Sequence, residues 1–344
     1  VAVITERLSL RNFRSYTKKT FEFSPKTTLI VGPNASGKTN ILEAIMFCAT
    51  GKSFRADADR EAIAWGNQIS DVRYQISDEN EEKKLELVLT QGEVQGQKAP
   101  LKKYLVNGVA RRMVDFVGNL RAVLFWPEHL ELVTDSPSLR RRYLDSVLVQ
   151  VDREYRRNLA SYERGLRQRN KLLDAINEGN ATRAQLLFWD QLLIRAGVYL
   201  TDGRAAFVDF VNTNKRFSLE YDKSILSESR LEQYAYEEVA AKATLVGPHR
   251  DDIVFYKDDR QLGKYGSRGE QRLAILWLKL AELEFIEEKT GERPILLLDD
   301  IFSELDREHR KIVVELIGKQ QTITTSADRD IMSTVGKDVK LIEL

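Results

Sequence analysis

The chain of 344 residues has a single cysteine, Cys48, so no disulfide can staple it and a reducing compartment is the natural one. Cys48 falls in an apolar run and is expected to be a buried core thiol. The only histidines are His129, His249 and His309, and their spacing fits no metal-ligand pattern, so any metal is expected to come with a ligand. No apolar run approaches the ~20 residues of a bilayer-spanning helix. The N-terminal VAVITERLSLRNF is interrupted by charge too soon for a signal peptide. No membrane partner and a cytoplasmic location are therefore expected. Repeats, low-complexity tracts and sustained heptads are also missing, which excludes solenoids and long coiled coils. Net charge is nearly absent at +1, so composition does not advertise a nucleic-acid binder.

What is present is an ordinary globular composition, with 42% hydrophobic and 31% charged residues, on a chain long enough for two bodies or for one α/β body carrying an insertion. Short apolar runs in LSLRNF, KTFEF and TTLIV read as strands. TTLIV feeds GPNASGKT, after which Ile41, Leu42, Ile45 and Ala49 recur at helical spacing. VRYQI, KKLELVLT, KKYLVNGV and RAVLFW restore strand character, with QGEVQGQ and NG as turns. From Ser136 the pattern becomes helical, with Ser136 as a cap and Pro137 at the first helical position. Val151, Tyr155, Leu159, Tyr162, Leu166, Leu173 and Ile176 share one stripe of a long amphipathic helix. A second helical run follows, and RFSLEY is a possible strand. After GPHRDDIVFYKDD the α/β grammar returns: a helix from YGSRGEQR, a four-residue buried strand in PILLLDD and another in QTITTSAD. The expected organisation is an α/β lobe from 1–125 and 243–344, with a mainly helical lobe over 126–242.

GPNASGKT matches the G-x-x-x-x-G-K-[ST] phosphate loop. Gly32 and Gly37 permit the turn, and the backbone of Gly32, Pro33, Asn34, Ala35, Ser36 and Gly37 cradles phosphates. Lys38 reaches the β- and γ-phosphates, and Thr39 offers a hydroxyl to magnesium. The strand–loop–helix context supports the match. ILLLDD places Asp299 and Asp300 at the carboxyl edge of a buried strand, where α/β ligands bind; Asp299 is expected to hold Mg2+ and Asp300 to position or deprotonate water. YGSRGEQR offers the Ser267 hydroxyl and the Gly269 N–H at a helix N-terminus, alongside Arg268. Alone it reads better as a plain capped helix than as an anion site, and Glu270 weighs mildly against a bare phosphate site. Its position between a phosphate loop and LLLDD favours the anion reading. From Arg140 to Lys171 basic residues outnumber acids, which fits either a duplex-lining face or a solvated helix face.

The order GxxxxGKT, SRGEQ, LLLDD and SELD resembles an ABC-type P-loop ATPase head of the SMC and RecF class: a mixed sheet with flanking helices and an antiparallel β part, here with a helical inserted lobe. LRNFRSY, ATGKSFR, FWPEHLELVTDSPSLRRRYLD, GPHRDDIVF and LLLDDIFSELD narrow the resemblance to the RecF family, over almost the whole chain. In such heads ATP lies between two subunits. The resemblance implies an ATP-dependent homodimer in which Ser267, Arg268, Gly269 and Glu270 act in trans, Ser303 and Asp306 form an interface loop, and Asn12 and Arg14 lie near the nucleotide. It further implies double-stranded DNA near single-strand gaps, with Lys52, Arg55, Arg140, Arg141 and Arg142 as candidate contacts and Arg55 alternatively an ATP sensor. It also implies a RecR partner and, with RecO, the loading of RecA. Departures from the wider ABC pattern are GSRGE in place of LSGGQ, Asp300 in place of glutamate, TTSAD without a switch histidine, and no evident Q-loop glutamine; the PEH segment at Pro127 is the candidate for that region. They suggest slow, weak hydrolysis. A transporter-type ABC subunit and a nucleotide-gated scaffold that scarcely hydrolyses are the alternatives.

Overall fold

A computed structural model describes residues 4–77, 81–213, 216–305, 307–336 and 338–344. The chain divides into two compact units, one of Val1–His129 with Leu278–Leu344, the other of Leu130–Trp277.

The first unit holds two sheets. Strands Ala122–Phe125, Ile295–Asp299, Thr322–Ser326, Thr27–Val31 and Val339–Glu343 form a five-stranded parallel sheet in that order. Its central strands are buried along almost their whole length, which is why LIV and ILLL read as unbroken apolar runs rather than alternating ones, while Thr322–Ser326 buries mainly hydroxyl side chains. The second sheet is six-stranded and antiparallel, in the order Tyr16–Glu22, Ile4–Phe13, Ile69–Ser77, Glu82–Thr90, Lys102–Val106 and Val109–Arg111. Here one face is buried, through Leu8, Leu10, Val72, Tyr74, Ile76, Leu85, Leu87 and Leu89, and the sequence alternates accordingly. QGEVQGQ closes as a small hairpin with Glu93 opposite Lys98.

The helix Lys38–Thr50 packs against strands of both sheets, so nearly all of it is buried. Met46, Phe47 and Cys48 join the expected apolar positions in the core, and burial pushes the Cys48 thiol up to about 12. Gln321 ties the chain's two ends together: its amide nitrogen donates to Thr5 O and Ser24 O, each at 2.7 Å, and its amide oxygen accepts from Thr5 N at 2.7 Å.

The second unit is built on helices Pro137–Val151, Arg153–Asn177 and Leu187–Val211, with strand Ser218–Asp222 paired to Asp252–Lys257 and this in turn to Arg260–Gln261. Pro137 opens its helix as expected, but Ser136 makes no side-chain cap bond. Gly165 lets two helices close up, since a Cβ there would meet Leu192 Cδ2 at 2.7 Å.

The unit boundaries differ from the expected 125/126 and 242/243. Residues 126–129 stay with the first unit, where Trp126 packs edge-on against Phe54 with ring centroids 4.7 Å apart. GPHRDDIVF belongs to the second, because its strand pairs with Ser218–Asp222. The later boundary falls inside the helix Arg268–Thr290. Strand pairing joins positions far apart in sequence, which local patterning does not reveal. No helix among the described residues is long and apolar enough to cross a membrane.

Candidate nucleotide site

Residues 32–37 leave the strand Thr27–Val31 and turn into the helix Lys38–Thr50. Ala35 and Gly37 take positive φ, 65° and 101°. A side chain at Gly37 would be strained by that backbone and would also meet Tyr16 Oη at 2.8 Å and Ser15 Oγ at 2.9 Å, so the position requires glycine. Tyr16 Oη donates to Gly37 O at 3.2 Å, and burial raises its pKa to about 12. Lys38 arches back over the loop, with Nζ donating to Gly32 O at 2.6 Å and Pro33 O at 2.9 Å. Ser36 Oγ is shielded from solvent and has no hydrogen-bond partner, an unmet polar group of the kind a phosphate oxygen would satisfy.

Thr39 and Asp299 are 260 positions apart, yet Thr39 Oγ1 donates to Asp299 Oδ2 at 2.7 Å. The other carboxylate oxygen accepts from Thr325 Oγ1 at 2.6 Å, because parallel pairing sets Thr325 beside Asp299. Sheet register thus fixes this carboxylate at the helix start. Asp300 follows in a left-handed conformation, φ 47°, which aspartate tolerates better than most side chains. Its N–H donates to Thr325 Oγ1 at 3.1 Å, and its carbonyl accepts from Ser303 Oγ at 2.7 Å. Ser303 is exposed; Asp306 lies outside the described residues. Residues 126–129 emerge from the strand Ala122–Phe125, the immediate neighbour of Ile295–Asp299, at the same carboxyl edge. Among the described residues no three His, Cys, Asp or Glu side chains cluster to hold a metal ion. Thr39 and Asp299 fit an ion whose remaining ligands are phosphate and water oxygens.

Asn12 and Arg14 sit at the tip of the first hairpin, both with positive φ. Asn12 Nδ2 donates to Ile69 O at 3.3 Å. Arg14 points into the helix, donating Nε and Nη2 to Glu43 at 2.9 and 2.6 Å. Arg55 Nη1 donates to Asn40 Oδ1 at 3.0 Å, and Lys52 is exposed. Glu43, Asn40, Ser53 and Thr325 were not among the expected site residues. Glu43 had a signal, a lone acid inside an apolar run.

Ser267 to Glu270 belong to the second unit. Here Glu270 Oε2 accepts from Ser267 N at 2.9 Å and from Ser267 Oγ at 3.1 Å, and Ser267 Oγ accepts from Glu270 N at 3.3 Å, a reciprocal capping box. Lys257 Nζ donates to the second carboxylate oxygen at 2.8 Å. Lys257 and the Ser267 donors hold the Glu270 pKa down at about 2. Gly269 is different from Gly37: its φ is not positive, and a Cβ there would find nothing closer than Ser267 Oγ at 4.0 Å. Among the described residues nothing requires glycine at this exposed position.

The arginine-rich stretch divides. Arg140 is buried and bidentate on Asp252, Nε to Oδ1 at 2.6 Å and Nη2 to Oδ2 at 2.9 Å, and its Nη1 donates to Asp135 O at 2.5 Å. Arg141 Nη1 donates to Asp251 O at 2.8 Å. Both are engaged within the chain rather than free to face nucleic acid: releasing Arg140 would leave the half-buried Asp252 carboxylate without its bidentate partner. Arg156 and Arg169 are buried as well, Arg169 pairing with Asp190 and Glu238 at 2.6 and 2.7 Å. Arg142, Arg164, Arg167 and Lys171 are exposed. GPHRDD is likewise held internally: Asp251 pairs with Arg204 at 3.0 Å. His249 Nε2 meets Thr244 O at 2.9 Å and its Nδ1 meets Tyr162 Oη at 2.7 Å, and burial lowers its pKa to about 4.

A glycine loop on a parallel strand, with a carboxylate from another strand of the same sheet meeting the helix start, defines a P-loop nucleotide fold, and the antiparallel sheet packed on the same helix makes it an ABC-type ATPase head. The family model for the RecF/RecN/SMC N terminal domain matches residues 4–343. The DNA replication and repair protein RecF of Lachnoclostridium phytofermentans is 37% identical over 339 residues, 94% of this chain and 92% of that protein. That of Herpetosiphon aurantiacus is 39% identical over 362 residues, 95% and 94% of the two chains. The chain belongs to the RecF family. A solved structure of the recombination mediator protein RecF-ATPrS in the RecFOR pathway superposes with a TM-score of 0.84 at 30% identity, over 99% of this chain and 96% of that one. An Smc head domain from Pyrococcus yayanosii shares the fold alone, with a TM-score of 0.50 at 15% identity over 98% of this chain and 94% of that one.

Proposed function

We propose that this protein is an ATP-dependent, DNA-binding protein of recombinational repair and replication-fork maintenance, which dimerises around ATP on duplex DNA near single-strand gaps and works with RecR and RecO to load RecA. The observation that carries the nucleotide site is the bond from Thr39 Oγ1 to Asp299 Oδ2 at 2.7 Å, which joins a phosphate loop to a carboxylate-bearing strand. Bound ATP takes the loop's N–H groups and Lys38, which exchanges its own loop carbonyls for phosphate oxygens. Thr39 and Asp299 would hold Mg2+, which would supply charge neutralisation on the phosphates. Asp300 orients the attacking water. Its side chain is one methylene shorter than glutamate, which supports slow hydrolysis and use of ATP as a timer; the same shortness favours, as a second reading, a nucleotide-gated scaffold with negligible turnover.

The in-trans role of Ser267, Arg268, Gly269 and Glu270 is supported by the empty space around Gly269. A glycine near a helix start with open space beside it leaves room for close approach by another molecule. Ser303 and Asp306 complete that interface, and Asn12 and Arg14 flank the nucleotide. On the nucleic acid, exposed Arg142, Arg164, Arg167 and Lys171 contact phosphates without reading bases; Lys52 and Arg55, in the first unit, are separate candidate contacts. The test of the shared site is Ser267→Arg. The variant is expected to bind ATP within about threefold of wild type, since only the partner's nucleotide is touched, and to lose the ATP-dependent dimer in light scattering. A dimer that persists in this variant removes the in-trans assignment.

A further inference from the structure

The helix behind the phosphate loop carries one acid in an apolar run, Glu43 in NILEAIMF. Its side chain has 0% exposure, and a carboxylate so placed is costly unless it is paired and hydrogen-bonded. Two arginines from different loops converge on it, and they are held unequally. Arg14 makes the bidentate fork, at 2.9 and 2.6 Å, the strongest geometry available to this pair. Ser53 Oγ donates to Oε1 at 2.5 Å and accepts from the N–H groups of Arg55 and Ala56 at 3.1 and 2.9 Å. The turn that presents Arg55 is therefore built on Glu43. Arg55 itself stands off, its Nη1 at 3.7 Å from Oε2. Its hydrogen bond goes to Asn40 Oδ1 at 3.0 Å, and its side chain is 37% exposed against 22% for Arg14. Asn40 follows Thr39 in the first helical turn; its N–H donates to Gly37 O at 3.0 Å and its Nδ2 to Ser15 Oγ at 2.9 Å.

Two guanidinium groups thus share the one carboxylate of Glu43, and Asn40, which holds the second of them, is next in sequence to the residue that reaches Asp299. We propose that Glu43 is a positioning residue of the nucleotide half-site. It locks Arg14 against the helix, shapes the turn of Arg55, and leaves Arg55 exchangeable between Asn40 and a phosphate oxygen. The inference rests on the phosphate-loop reading above. The phosphate can belong to bound nucleotide or to a DNA backbone, and the assay separates the two.

The test is a double-mutant cycle on the full chain, read by equilibrium binding of a fluorescent ATP analogue with and without duplex DNA. Glu43→Gln keeps the shape and removes the charge. It is expected to weaken nucleotide binding on the order of tenfold in the wild-type background and less than about twofold when Arg14 and Arg55 are both alanine, because it acts through them. A weakening confined to the samples with DNA assigns the phosphate to the duplex, and one seen equally without DNA assigns it to the nucleotide. An equal loss in both genetic backgrounds, or no loss with or without DNA, overturns the proposal. Should Glu43→Gln melt below the assay temperature, the cycle is run with Asn40→Ala against Arg55→Ala, where additive effects overturn it. A wild-type protein that bound no nucleotide would instead remove the phosphate-loop reading on which the inference rests.

Discussion

The two halves of the proposed nucleotide site differ in how completely the chain accounts for its own residues. In the phosphate-loop half Lys38 bonds its loop carbonyls, Thr39 bonds Asp299, Asp299 bonds Thr325, and Gly37 lies against Tyr16 and Ser15. In the signature half Ser267 and Glu270 satisfy each other, but Gly269 and Arg268 are exposed and Gly269 has open space around it. A site whose residues hold one another, leaving Ser36 Oγ without a partner, is organised before its ligand arrives. Open space beside Gly269 leaves room for the partner surface proposed above.

The largest effect expected from breaking this contrast is at Lys38. Lys38→Ala removes a charge-assisted phosphate interaction and should lower ATP affinity by about 100-fold or more in equilibrium binding; unchanged affinity would remove the phosphate-loop claim. Reversal of Arg164, Arg167 and Lys171 to glutamate should weaken duplex binding, and in a salt titration the slope of log K against log salt should become shallower by about 0.9 for each DNA phosphate that is no longer neutralised. Indifference to the reversal would make that stretch a solvated face. The smallest effects, on stability, bear on the contrast most closely. Gly37→Ala should destabilise the fold by about 1 kcal/mol or more, since backbone strain and crowding act together. Gly269→Ala should be neutral or stabilising by roughly a few tenths of a kcal/mol, yet weaken the ATP-dependent dimer. Equal destabilisation by the two alanines in chemical denaturation would erase the distinction between the halves.

Much of the phosphate-loop half was legible because its signals are local. A buried strand, a glycine loop and a helix follow one another without interruption, and the acids of LLLDD stand at the end of an apolar run that only a covered strand explains. The antiparallel strands were legible by alternation. What depends on pairing between distant segments was not. The strand Ser218–Asp222 finds its partner beyond GPHRDD, so the second unit runs on to Trp277 rather than ending at 242. The arginines from 140 to 171 look alike in sequence, whereas the fold turns Arg140, Arg156 and Arg169 inward and leaves Arg142, Arg164, Arg167 and Lys171 outside. Helical phase sorts some of them, but partners such as Asp252 and Glu238 come from far along the chain. Glu43 was visible as an acid out of place, but its two arginines approach from separate loops that only the folded chain brings together.

The claim that these two half-sites are completed across a dimer is tested most directly by molar mass from light scattering, measured with ATP, with ADP and without nucleotide, each with and without duplex DNA. The account predicts twice the chain mass with ATP, further favoured by DNA, and a largely monomeric protein with ADP or no nucleotide. A mass that does not change with the nucleotide would contradict it.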